Sequence, residues 1–170
     1  MKLQRIHVLT TGGTIEKVYS EQHGAVANLE DKIERYLGRL RLPDTEIDTT
    51  RLMNKDSLEI TDADRALVLE AVKGRLDAPI VITHGTDTMV ETGLYLKRGL
   101  TELRYPIILT GAMTPLGFEA SDGLQNLTES FLAARVVAPG IYVVMHNHVF
   151  PVDRVRKDRE RAEFVLIPAP

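Results

Sequence analysis

Residues 6–19 read IHVLTTGGTIEKVY, and residues 79–93 read PIVITHGTDTMVETG. In each, a short β-branched, apolar run ends in threonine and glycine, and an acid follows within a few positions. A run of that length closed by turn residues is the pattern of a strand covered on both faces. The format returns, less completely, in EIDTTRLM (46–53), PIILTGA (106–112) and IYVVMHN (141–147). Between these runs lie helical patterns. TDADRALVLEAVKGRL (61–76) opens with Thr61 as a cap and Asp64 three residues on, then spaces Leu67, Ala71, Val72 and Leu76 helically. SDGLQNLTESFLAARVV (121–137) groups Leu124, Leu127, Phe131 and Leu132. DTMVETGLYLKRGLTEL (87–103) is a third helix, in which Gly93 and Gly99 indicate close packing or a break.

Strand alternating with helix predicts an α/β fold: one doubly wound, mainly parallel sheet with helices on both faces and right-handed crossovers. At 170 residues, with no linker, repeat or low-complexity tract, the chain (1–170) is expected to form a single domain. The tail DRVRKDRERAEFVLIPAP (153–170) alternates charges before an apolar end, and is expected to be a hairpin or edge strand whose charges mostly face solvent. Hydrophobic residues at 44% and charged residues at 26% are the balance of a soluble globular protein, while a net charge of −3 speaks against a nucleic-acid surface. No apolar run approaches the ~20 residues that span a bilayer, and Lys2 and Arg5 precede too short an apolar run for a secretion signal. A cytoplasmic protein is the expectation. Without cysteine there is no disulfide, thiolate nucleophile or Cys-based zinc site.

In open α/β sheets a ligand site lies beyond the carboxyl ends of strands. Three expected strand ends carry similar punctuation: TTGGT, THGTDT and TGAM. The first matches neither nucleotide-binding glycine fingerprint, so its glycines form either an anion-binding nest or a tight turn. In HGTDT, Thr86 and Asp87 are good helix caps, and equally a hydroxyl and an acid at a helix start. Two such hydroxyls, Thr14 and Thr86, can lie side by side. A threonine hydroxyl needs a neighbouring base to act as a nucleophile, and Tyr19, Lys157 and the histidines are candidates. His146 and His148 in HNH would share one strand face, without a third ligand at a motif spacing. His84, ending an apolar run, fits a satisfied buried histidine.

TTGGTI (10–15) together with VITHGTDTMVET (81–92), and ILTGAM (108–113) after them, resemble the L-asparaginase family of threonine amidohydrolases. The likeness runs from Ile6 to about Lys157 and corresponds to the family's N-terminal domain, implying a short form without the smaller C-terminal domain. It implies Thr14 as nucleophile, assisted by Tyr19, and a second triad of Thr86, Asp87 and Lys157. Ser57 in NKDSLEIT implies the substrate-carboxylate contact. Leu58 follows where the family often has a polar residue, which leaves its backbone for binding. A backbone carbonyl at Ala112 would meet the side-chain amide. The implied reaction is hydrolysis of L-asparagine to L-aspartate and ammonia through an acyl-enzyme, with Thr86 and Asp87 also binding substrate and no metal or organic cofactor. The alternatives are a glutaminase, an ammonia-supplying subunit of a larger complex, or a non-catalytic amino-acid sensor. A homo-oligomer with its site near an interface is expected, since another copy could close the pocket. The segments FVLIP and IYVVMHNHVF are the expected meeting surfaces.

Overall fold

The computed structural model describes residues 3–28 and 32–168. Strand β1 (Gln4–Gly12) leads into a small hairpin, β2 (Val18–Ser20) and β3 (Ala25–Ala27), then helix α1 (Ile33–Leu37) and strand β4 (Thr45–Lys55). Helix α2 (Asp62–Lys73), β5 (Ile80–Thr83), α3 (Met89–Gly99), β6 (Ile107–Thr110), α4 (Gly123–Val136) and β7 (Ile141–Met145) follow. The remaining strands are β8 (His148–Pro151), β9 (Val155–Asp158) and β10 (Glu163–Leu166). Among the described residues one six-stranded sheet runs in the order β4-β1-β5-β6-β7-β8, parallel except for the last pair. The chain moves outward from β1 to β4, then returns past β1 to β5, so the winding reverses between β1 and β5.

The two faces are covered as the alternation of each strand requires. Leu9, Ile82, Leu109 and Val143 pack with Val68 and Val72 of α2 and Met89 and Leu96 of α3. On the other face Val8, Val81, Ile108 and Val144 pack with Ile33 and Tyr36 of α1 and Leu127 and Phe131 of α4. Helix α2 starts with the expected capping box: Asp64 N–H donates to Thr61 Oγ1 and Thr61 N–H donates to Asp64 Oδ2. The doubly wound, mainly parallel sheet therefore stands, and the tail forms the β9–β10 hairpin.

Several local expectations are corrected. Leu67 and Leu132 are about 60% exposed, because the buried faces follow Asp64, Val68 and Val72, and Leu127, Phe131 and Ala134. Strand β4 lies at the sheet edge and is not covered on both sides. The HNH segment is not a strand face. Met145 pairs with His148, leaving His146 and Asn147 as a two-residue turn with φ of 50° and 64°. Two successive left-handed residues are what a type I′ hairpin needs. The two rings then separate: His146 Nε2 lies 2.7 Å from Asp122 Oδ2, and His148 stacks on Phe150. Gly93 is the close approach the sequence indicated, since a Cβ there would overlap Val152. No helix among the described residues is long and apolar enough to cross a membrane.

Glycine is required most strictly where β1 and β5 end. Gly13 has φ of 81°, and a Cβ on it would fall on the backbone of His84 and Gly85. Neither the conformation nor the space admits a side chain. Gly13→Ala should therefore lower the melting temperature by about 5 °C or more. Gly74, a right-handed helix end with its nearest contact at 3.7 Å, serves as the comparison: Gly74→Ala should raise it by ~1–3 °C. Calorimetric scans of the two variants beside the parent check the pair.

Candidate active site

The crevice at a winding reversal, beyond the strand carboxyl ends, is where such sheets bind ligands. Here the turn after β1 carries Thr14 and the turn after β5 carries Thr86. The TGGT glycines make a tight turn: Gly13 N–H donates to Lys55 O at 2.8 Å, so that amide is not presented to an anion. Gly85 presses on the turn after β4, where a Cβ would stand 2.5 Å from Ser57 Oγ. A Cβ on Gly111, after β6, would overlap His84 O. Four turns thus meet in close contact through glycines, against backbone at His84 and Lys55 and against the side chain at Ser57.

Thr86, Asp87 and Lys157 come together directly. Lys157 Nζ donates to Thr86 Oγ1 at 2.7 Å and to Asp87 Oδ1 at 2.9 Å. The amine arrives from β9, whose alternation turns Val155 and Lys157 inward and Arg156 outward. Lys157 lies opposite Phe164, which is buried, and only 16% of its own side chain is exposed. A lysine in a charged run is thereby removed from bulk water by one apolar neighbour across the hairpin. Arg159, two residues on and of the same parity, reaches Asp87 Oδ1 at 3.5 Å. Sequence reading grouped Arg159 with solvated charges, and in the turn beyond β9 its side chain is 66% exposed even as it approaches Asp87.

The other candidates lie on the turns after β1, β4 and β6 and on β2. Thr14 is partly exposed, and its hydroxyl makes no side-chain hydrogen bond among the described residues. Ser57 is buried, with its carbonyl accepting from Thr88 Oγ1 at 2.7 Å. Leu58 projects its side chain into solvent and gives its N–H to Asp56 Oδ1 at 3.1 Å. Ala112 is fully buried in the turn after β6. Tyr19 sits on the outer side of β2, 59% exposed and opposite Val26, with no side-chain hydrogen bond among the described residues.

Two part-buried acids missed by sequence reasoning, Asp122 and Asp56, support the turns, as does the buried histidine expected at position 84. Asp122 accepts from the N–H groups of Met113 and Thr114 and from Asn126 Nδ2, and meets His146. Burial pushes its carboxyl up, but those amide donors and His146 outweigh burial and hold it below the usual range. Asp56 is lowered as well, first by its hydrogen bond from Lys17 and then by Leu58 N–H. His84 is fully buried beneath the Thr86 turn. Its Nδ1 lies 2.8 Å from Gly85 O and its Nε2 lies 2.8 Å from Thr92 Oγ1. The carbonyl needs a donor, so Nδ1 carries the proton and Nε2 accepts from Thr92. Burial, above all, pushes this imidazole down to about 4, with Arg65 adding to the effect and the Gly85 bond opposing it.

Residues 5–163 match the family described as Asparaginase, N-terminal. The chain is 35% identical over 155 residues to an L-asparaginase of Thermococcus kodakarensis, covering 90% of this chain and 47% of that one. It is 33% identical over 152 residues to one component of the glutamyl-tRNA(Gln) amidotransferase of Methanococcus vannielii, covering 86% and 35%. The solved thermostable L-asparaginase from Thermococcus kodakarensis superposes with a TM-score of 0.87, over 98% of this chain and 52% of that one at 35% identity. L-asparaginase I from Vibrio cholerae gives 0.85 over 99% and 52% at 26% identity. The chain spans about half the length, or less, of the curated relatives it matches.

The buried histidine sets an acid limit on stability. Unfolded histidine titrates near ~6.5, and His84 in the fold near about 4. Between those values the unfolded chain binds the extra proton, so this contribution is complete above the unfolded pKa and is lost as pH falls. From pH 7 to 4.5 the parent should lose about 2–3 kcal/mol more unfolding free energy than His84→Gln. Urea titrations of both proteins at the two pH values measure the difference.

Proposed function

The chain belongs to the asparaginase family, and we propose that it is an amidohydrolase releasing ammonia from L-asparagine, with the 170 residues acting as the family's N-terminal domain. The observation that carries this is the contact of Lys157 Nζ with both Thr86 Oγ1 and Asp87 Oδ1, residues 71 and 70 positions away. Capping alone accounts for a threonine and an acid at a helix start. It does not account for a shielded amine delivered to both from a separate hairpin.

In this reading Thr14 Oγ1 attacks the side-chain amide carbon, and the hydroxyl proton passes to a neighbouring base. That base returns the proton to the amide nitrogen, and collapse of the tetrahedral intermediate expels ammonia and leaves an ester on Thr14. Water then attacks the ester, giving aspartate and the free threonine. Lys157 donates to Thr86 Oγ1, which leaves the Thr86 O–H free to donate toward substrate or water, and Asp87 balances the lysine's charge. The Thr86 hydroxyl and turn amides beside it are the donors available to the oxyanion, each worth ~3 kcal/mol in such sites. Asp87 receives the α-ammonium and Ser57 the α-carboxylate, with the Ala112 carbonyl facing the amide. Tyr19 assists Thr14 only if the β2–β3 hairpin moves or the side chain rotates inward.

A second reading, an ammonia-supplying role in a larger assembly, is favoured by the similarity to an amidotransferase component. Self-association is also proposed. Leu132, Val136 and Val149 expose apolar surface beside the edge strand β8, and Leu166 and Ile167 expose more at the FVLIP end.

Coupled ammonia assays should show turnover of L-asparagine well above that of L-glutamine. Thr14→Ala, Thr86→Val and Lys157→Met should each reduce kcat by at least ~1000-fold. Arg156→Gln is the control because Arg156 points outward; it should stay within ~2-fold. Equal turnover of the two amides would favour the second reading, and a Thr14→Ala enzyme with parental kcat would remove the nucleophile.

Sedimentation at micromolar protein should show a dimer or larger species, with specific activity falling on dilution toward nanomolar. An active monomer there would overturn self-association.

A further inference from the structure

The β2–β3 hairpin pairs only with itself among the described residues, and positions 21–26 are exposed. Both of its ends nevertheless stand on one short segment. Lys17, where the chain enters, donates from Nζ to Asp56 Oδ2 at 2.5 Å. Asn28, where it leaves, donates from Nδ2 to Asn54 Oδ1 at 3.0 Å and to Gly13 O at 2.9 Å. Between them Gly13 N–H donates to Lys55 O. Three consecutive residues, Asn54, Lys55 and Asp56, are therefore each bonded to the segment that surrounds Thr14. The next residue is Ser57, and Asp56 Oδ1 also caps its turn through Leu58 N–H.

We propose that Lys17 and Asn28 are positioning residues for substrate binding: they fix the Ser57 turn against the Thr14 turn, and so set the affinity for the carboxylate of a small amino acid. The proposal rests on the amidohydrolase reading for the identity of that ligand. Neither side chain touches the reacting atoms. An isolated ion pair of this exposure would contribute little. Here it acts with two further bonds in the same direction, and half of the pair already holds the turn it steers. The low carboxyl titration of Asp56 fits a group kept charged by Lys17.

The test uses Lys17→Met, Asp56→Asn, their combination, Asn28→Ala and Lys17→Arg in the full chain. Asparagine at position 56 keeps an oxygen for Leu58 N–H and replaces the Oδ2 that accepts from Lys17 with an uncharged amide donor. Lys17→Met should raise KM for L-asparagine, and the Kd for L-aspartate by calorimetry, about tenfold with kcat within ~3-fold. Lys17→Arg should restore both. The double variant should be no worse than either single one, because both break one interaction. Asn28→Ala should shift KM in the same direction. Hydrogen exchange at the Leu58 amide should quicken in Lys17→Met without ligand present. Additive losses, an unchanged Kd, or no recovery with arginine would overturn the proposal. A parent chain that binds L-aspartate without hydrolysing asparagine would sink the amidohydrolase reading and leave this one to the Kd and exchange results. A parent that binds no L-aspartate overturns the substrate role outright.

Discussion

The turns where β1, β4, β5 and β6 end are in close contact, and a glycine stands at each approach. Gly13 lies against His84 and Gly85, Gly85 against Ser57, and Gly111 against the carbonyl of His84. Parallel strands spaced about 4.8 Å apart bring their terminal turns this close where one of the two facing positions lacks a Cβ. The consequence is geometric. Thr14, Ser57 and Thr86 sit on turns that share contacts, so displacing one turn displaces the others. A rigid sheet alone would not do this, because loops above strand ends ordinarily vary independently.

The buried polar groups follow from the same packing. Turns pressed together without side chains leave amides and carbonyls facing the interior, and each needs a partner. His84 serves the carbonyl of Gly85 and reaches Thr92 in α3. Asp122 serves Met113 and Thr114, and Asn126 serves the carbonyl of Gly111 at 3.0 Å while accepting from His146 N–H. These side chains look like catalytic candidates in composition, but their donors and acceptors are occupied by main chain, by one another and by Thr92. That is why histidines near the site do not converge on a common point.

Much of this was legible because it depended on local chemistry. Apolar runs closed by Thr-Gly gave the central strands, Thr61 with Asp64 gave a helix start, and Gly93 marked a close contact. What was lost depended on partners distant in sequence. EIDTTRLM resembles a central strand in composition, yet only pairing decides that β4 is an edge. Leu67 and Leu132 satisfy helical spacing, but a helix with apolar residues on several sides does not say which side meets the sheet. The HNH turn was hidden because His and Asn adopt positive φ less often than glycine, though more readily than β-branched residues. Helix α1 has five residues, too few for a periodic signal.

Asp87 shows how a charged tail can be tied to the turn after β5. Lys157 and Arg159 both approach Oδ1, at 2.9 and 3.5 Å, and Oδ2 has no protein partner among the described residues. One cation held at hydrogen-bond distance and a second just outside it neutralise the carboxylate from one side. Its other oxygen keeps its lone pairs. In the proposed amidohydrolase, an ammonium group that reaches Oδ2 would meet an acceptor already oriented by two neighbours, so less ordering would remain for the encounter to supply. The two cations also repel that ammonium, which favours a ligand carrying its own carboxylate within a few ångströms of the amine. An α-amino acid satisfies both demands; a simple amine satisfies only the first.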